Sequence, residues 1–120
     1  MGEVVSRDEL VARVQRARAA GRTVALAHGC FDLITVGHVR YLETAAQEAD
    51  LLVVAVADDG TVGRLKGEGR PVLAAEHRAE LVAALRCVDL VVVFPEPTVD
   101  MLVDALRPDV HRTGIDYTAP

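Results

Sequence analysis

A chain of 120 residues accommodates one domain with a single sizeable core. Its residues are 51% hydrophobic, mostly Val, Leu and Ala, and only 3% aromatic, which suits a buried parallel sheet packed by Ala- and Leu-rich helices. With 13 Lys and Arg against 18 Asp and Glu the formal net charge is −5, which argues against nucleic-acid and anionic-membrane partners, and no apolar run has the length of a membrane span.

Ser6 followed by Glu9 fits a capping box, and Leu10, Val11, Val14 and Ala17 line one face of a first helix that ends near Gly21. Thr23 to Ala27 reads as a buried strand, followed by the loop 27–39 and a helix over Val39 to Glu48. Leu51 to Ala57 shows no alternation, as expected of a strand covered on both faces, and Asp58-Asp59-Gly60 stops it. Thr61 to Val72 is glycine-rich and basic, lacks P-loop spacing, and reads as a mobile loop that brings Lys66 and Arg70 over an anion. A helix over Ala75 to Arg86 leads to a strand at Val88 to Phe94, closed by Pro95 and Pro97. Thr98 is the expected cap of a last helix bearing Val99, Leu102, Val103 and Leu106, after which Asp109 to Thr113 forms a short strand. Alternating strands and helices predict an α/β fold, a Rossmann-like parallel sheet with helices on both faces in a single domain. That order brings the loop after the first strand, Asp58-Asp59 and the Gly114 loop to one edge of the sheet, where open α/β sheets bind ligands.

The chemistry concentrates in His28-Gly29-Cys30-Phe31-Asp32-Leu33-Ile34-Thr35-Val36-Gly37-His38. A strand, a glycine-bearing turn and a helix N-terminus make an anion site, because backbone N–H groups and the helix dipole face incoming negative charge. His28, Thr35 and His38 add side-chain donors. Each residue also has a plain structural reading. His38 serves as a solvated polar residue, Thr35 as a cap, Asp32 as a turn former and His28 as a hydrogen-bonded residue at the core edge. Lys66 and Arg70 decorate a solvated loop, and Arg78 pairs with Glu80 or Asp59. Cys30 is a small buried residue rather than a nucleophile, and His77 and His111 are structural. Cys30 and Cys87 form no CxxC pair, so reduced thiols in a cytoplasmic protein are expected, and the histidines lack zinc spacing, so no metal ligand is assigned.

The Gly29 to His38 stretch resembles the signature G-x-F-D-x-x-[HT]-x-G-H of the cytidylyltransferase-like nucleotidyltransferases of the HIGH superfamily. Arg64-Leu65-Lys66-Gly67, Arg70-Pro71-Val72, Glu76-His77-Arg78, Val88 to Val92 and Arg107 to His111 followed by Gly114 and Asp116-Tyr117 match in the same order, and most resemble the sugar-phosphate nucleotidyltransferase domains of bacterial ADP-heptose synthesis. The resemblance implies attack of an acceptor phosphate on the α-phosphorus of ATP or CTP, with Mg²⁺ and release of pyrophosphate. It implies catalytic roles for His38, Thr35 and Lys66. It places Gly29, Cys30, Phe31, Asp32, Gly37, Arg78, Gly114 and Asp116 around the nucleotide. It further implies a small sugar or alcohol phosphate as partner and a homodimer.

Three departures stand against that pattern. Thr35 occupies a position where the heptose-type domains carry His, Thr113 stands where they carry Lys, and their Ser-Thr-Thr helix start does not occur before Pro120. The expectation is therefore a domain over residues 1–120 without that segment, moving AMP from ATP to a sugar 1-phosphate. The alternatives are a cytidylyltransferase making a CDP-alcohol such as CDP-glycerol, and a nucleotide-binding or dimerisation module with impaired turnover.

Overall fold

The computed structural model describes residues 2–95 and 98–113. Its elements in chain order are β1 (Glu3–Val4), α1 (Arg7–Ala19), β2 (Val24–Gly29), α2 (Val36–Gln47), β3 (Leu51–Ala57), α3 (Asp59–Lys66), α4 (Ala75–Ala83), β4 (Leu90–Phe94), α5 (Asp100–Leu106) and β5 (Val110–Thr113). The strands form one five-stranded parallel sheet in the order β1-β4-β3-β2-β5. The sheet is the Rossmann-like one expected, with helices on both faces.

Alternation along the strands divides the core. Val24 and Leu26 of β2, with Val53 and Ala55 of β3, pack under α1 and α5 through Leu10, Val14, Leu102 and Leu106. Ala25, Ala27, Val54 and Val56 point the other way, onto Leu42 and Ala45 of α2 and Ala79 and Val82 of α4. Every residue of β2 and β3 is buried, which is why neither strand shows a polar face.

An aspartate at or just before the start of three strands sets the register at the N-terminal edge. Asp50 accepts the Thr23 N–H at 2.9 Å, Asp89 the Leu52 N–H at 2.8 Å and Asp109 the Val24 N–H at 2.8 Å. Each carboxylate satisfies a backbone donor where a ladder begins.

Five elements, β1, β2, α2, α3 and α5, differ from the sequence expectation in the ways that follow. β1 was not anticipated, because two exposed residues carry no periodicity. Strand β2 runs on through His28 and Gly29, and α2 begins at Val36. The stretch expected as a mobile loop begins as helix α3. Asp58 caps it by accepting the Thr61 N–H at 2.9 Å, Val62 anchors it in the core, and Arg64 and Lys66 complement the dipole in its last turn. For α5 the cap position is Val99, with no side-chain cap, rather than Thr98.

Candidate active site

The strand–turn–helix unit β2–α2 is shaped by two residues. Phe31 turns the chain with φ 53°, a left-handed conformation uncommon for a bulky side chain, and its ring is fully buried. A Cβ on Gly29 would lie 3.1 Å from that ring, so glycine is what lets strand and turn close together.

At the start of α2, Thr35 and His38 form a reciprocal capping box. The Thr35 hydroxyl accepts the His38 backbone N–H at 3.4 Å, while the Thr35 backbone N–H donates to His38 Nδ1 at 3.0 Å. His38 thus takes the place of the usual Glu or Gln. Because Nδ1 accepts, the neutral imidazole carries its hydrogen on Nε2 and the ring is oriented as a donor. The ring is buried and packs against Phe31 with centroids 5.4 Å apart, whereas Thr35, Val36 and Gly37 are exposed at the helix N-terminus.

Asp32 faces inward. Its carboxylate accepts from Arg70 Nε at 2.6 Å and from the backbone N–H groups of Val72 and Leu73 at 2.7 and 3.2 Å. Burial opposes its charge, but the two N–H groups and the guanidinium outweigh that effect and hold the carboxyl below its ordinary value. Arg70, expected over a bound anion, is instead engaged by Asp32, and the 67–73 segment is tied down.

Arg78, expected at a substrate phosphate, is corrected by its surroundings. It is fully buried, donating to the carbonyls of Leu73, Cys30 and Ala57 at 2.8, 2.6 and 2.7 Å and to Asp59 at 2.7 Å. Its guanidinium holds three loops together, with Asp59 as its acid partner. Cys30 is likewise buried in the core, outside any disulfide, and its carbonyl serves Arg78.

Lys66 is exposed in the last turn of α3, before Gly67 at φ 98°. His28 ends β2 facing α5, with its Nδ1 3.0 Å from His111 Nε2. Desolvation, then the neighbouring His111, lowers its pKa to about 4. Sequence reasoning set His111 aside; the signal that finds it is register, since His111 pairs with Leu26 and shares a sheet face with His28. Gly114 and Asp116 lie outside the described residues, although β5 delivers Thr113 beside His28 at the same edge.

Strand order, turn and capped helix place these residues at the C-terminal edge of the parallel sheet, and the comparisons agree with that fold in class. The chain belongs to the cytidylyltransferase-like family, whose model matches residues 26–119. It is 49% identical over 108 residues to the bifunctional protein HldE of Syntrophotalea carbinolica, covering 90% of this chain and 22% of that one. It is 46% identical over 116 residues to the HldE of Geobacter sulfurreducens, covering 97% and 24%. The chain thus spans about a quarter of the length of the curated relatives it matches. The crystal structure of the lipopolysaccharide core biosynthesis protein from Thermoplasma volcanium superposes with a TM-score of 0.69 at 32% identity, covering 76% of this chain and 73% of that one. Among the described residues no helix is long and apolar enough to cross a membrane.

Proposed function

We propose that this domain transfers AMP from ATP to a sugar 1-phosphate of the heptose type and releases pyrophosphate. The observation that carries the reading is the Thr35–His38 capping box, which assigns the His38 hydrogen to Nε2 and sets that donor beside the N-terminus of α2. An oxygen of the acceptor phosphate attacks the α-phosphorus in line. The bond from that phosphorus to the bridging oxygen breaks, and pyrophosphate leaves with the electron pair. No protein nucleophile is required, so the protein's share is positioning and stabilisation of growing charge.

In this reading the His38 imidazole donates to an α-phosphate or leaving oxygen, and the Gly29 to Phe31 backbone cradles phosphate. Gly37 leaves the helix start open, and Lys66 neutralises the triphosphate from the end of α3. Gly114 and Asp116 complete the nucleotide site from the segment after β5. Thr35 acts by holding the His38 ring. Asp32 and Arg78 support the site from within.

Mg²⁺ would arrive with the nucleotide. Among the described residues no three or more His, Cys, Asp or Glu side chains gather as a cation site, and Asp32 is already engaged by Arg70 and two backbone donors. These residues do not form a resident magnesium site, and the phosphates would supply most of the ligands.

The choice of ATP and of a sugar 1-phosphate rests on the resemblance to ADP-heptose domains; the name of the Thermoplasma neighbour adds only lipopolysaccharide core biosynthesis as a context. Thr113 in place of lysine favours a second reading, a nucleotide-binding module with impaired turnover. Pyrophosphate release with heptose 1-phosphate, measured with ATP and separately with CTP, tests all of this. Release with ATP alone supports the proposal, and release with CTP and an alcohol phosphate replaces it with a cytidylyltransferase. Binding without release leaves the module. Sedimentation of the same sample tests the proposed homodimer.

A further inference from the structure

Among the described residues the ladder between β2 and β5 reaches His28, the residue before the proposed phosphate cradle. There His28 pairs with Thr113, and on the other side of β2 Gly29 lies opposite Val56 of β3. Near the end of β2 the β5 side is also bridged by side chains. His28 and His111 stand diagonally across the two strands on the α5 face, Nδ1 to Nε2 at 3.0 Å, with ring centroids 5.0 Å apart and planes 28° apart. Diagonal neighbours on one face lie within reach of aromatic side chains. The His28 ring is 5% exposed and meets Phe94 of β4 edge-on at 6.4 Å.

We propose that the His28–His111 hydrogen bond is a positioning brace for the reaction, holding the adjoining Gly29–Cys30 backbone of the phosphate cradle. Its purpose rests on the nucleotidyltransferase reading; its existence rests on the geometry alone.

One hydrogen between two facing nitrogens makes the bond, so the pair tolerates one ring as donor and one as acceptor but not a hydrogen on both facing nitrogens. The titratable groups acting on it are the two imidazoles and Asp100 at the start of α5, which favours the protonated form of each. From β4 the uncharged Phe94 ring packs edge-on against His28. The brace is therefore intact at neutral pH and opens in acid, with His28 protonating near pH 4.

The test is an NMR pH titration of the whole chain, following the imidazole signals, with His77 as the exposed reference ring, and the backbone amides of Gly29 and Cys30. Both amides are expected to move with the midpoint of the His28–His111 pair. In His111→Leu they sit at displaced positions at pH 7.5 and no longer follow that midpoint. In His111→Gln, which keeps an amide able to bond His28, they return close to their original positions. With ATP the leucine variant is expected to show a KM several-fold higher, restored by glutamine. Amides of Gly29 and Cys30 that ignore both the titration and His111→Leu overturn the brace, even if the variants melt at lower temperature. Amides that follow the pair in a chain that binds no nucleotide at pH 7.5 uphold the brace and sink the nucleotidyltransferase reading.

Discussion

Two polar networks meet at the C-terminal edge of the sheet, and they spend their hydrogen bonds in opposite ways. Around Arg78 and Asp32 they are spent inward, on the carbonyls of Cys30, Ala57 and Leu73, on Asp59 and on the Val72 and Leu73 N–H groups. Around Thr35 and His38 a reciprocal pair of bonds orients the ring, while the first residues of α2 stay exposed. The motif residues of the chain therefore fall into two kinds. Asp32 and Arg78 build the edge; Thr35, His38 and Lys66 are the ones that meet the substrate in the proposed reading.

Removing the builder should hurt the fold most. Arg78→Met leaves three buried carbonyls and Asp59 without their donor, and should cost about 4 kcal/mol or more, read as a collapse of the urea midpoint. His38→Ala should separate the networks most sharply. Pyrophosphate release should fall roughly 10²–10³-fold, as for loss of one preorganised donor, while stability drops by only ~1 kcal/mol, as for a lost cap.

Asp32→Asn should cost about 1–3 kcal/mol at neutral pH. Because the Asp32 carboxyl is held below its ordinary value, its contribution is complete above the unfolded pKa and lost as pH falls through the lower folded one. Unfolding curves at pH 7 and pH 3 should therefore lie closer together in the variant than in the parent. A gap as wide as the parent's would break the assignment of Asp32 to the inward network. Lys66→Ala should leave the melting temperature unchanged and weaken triphosphate binding about tenfold, as for loss of one charged hydrogen bond. The deficit should shrink as salt rises.

The strands β2 to β5 were legible because continuous runs such as Leu51 to Ala57 admit little else. Helix α3 was hidden by Gly60, Gly63 and Gly67, which read as loop although Asp58, Val62 and Lys66 supply a cap, an anchor and a favourable charge. The chemistry of the Gly29 to His38 turn was visible as a pattern, but not the exchange of bonds between Thr35 and His38, because histidine is an unfamiliar partner in a capping box. Arg78 was misplaced for a deeper reason. Charged side chains are almost never fully buried unless paired, and its partners come from segments up to 48 residues away that no local pattern brings together.

That single guanidinium also sets how the edge comes apart. The turn after β2, the end of β3 and the segment before α4 all hang from one side chain whose own donors are shielded from water. None of the three can swing away without uncovering Arg78, so the least expensive excursion that frees one frees them together. In hydrogen-exchange terms, the protected amides along these segments should share one opening free energy close to that of global unfolding, instead of the graded fraying usual for surface loops.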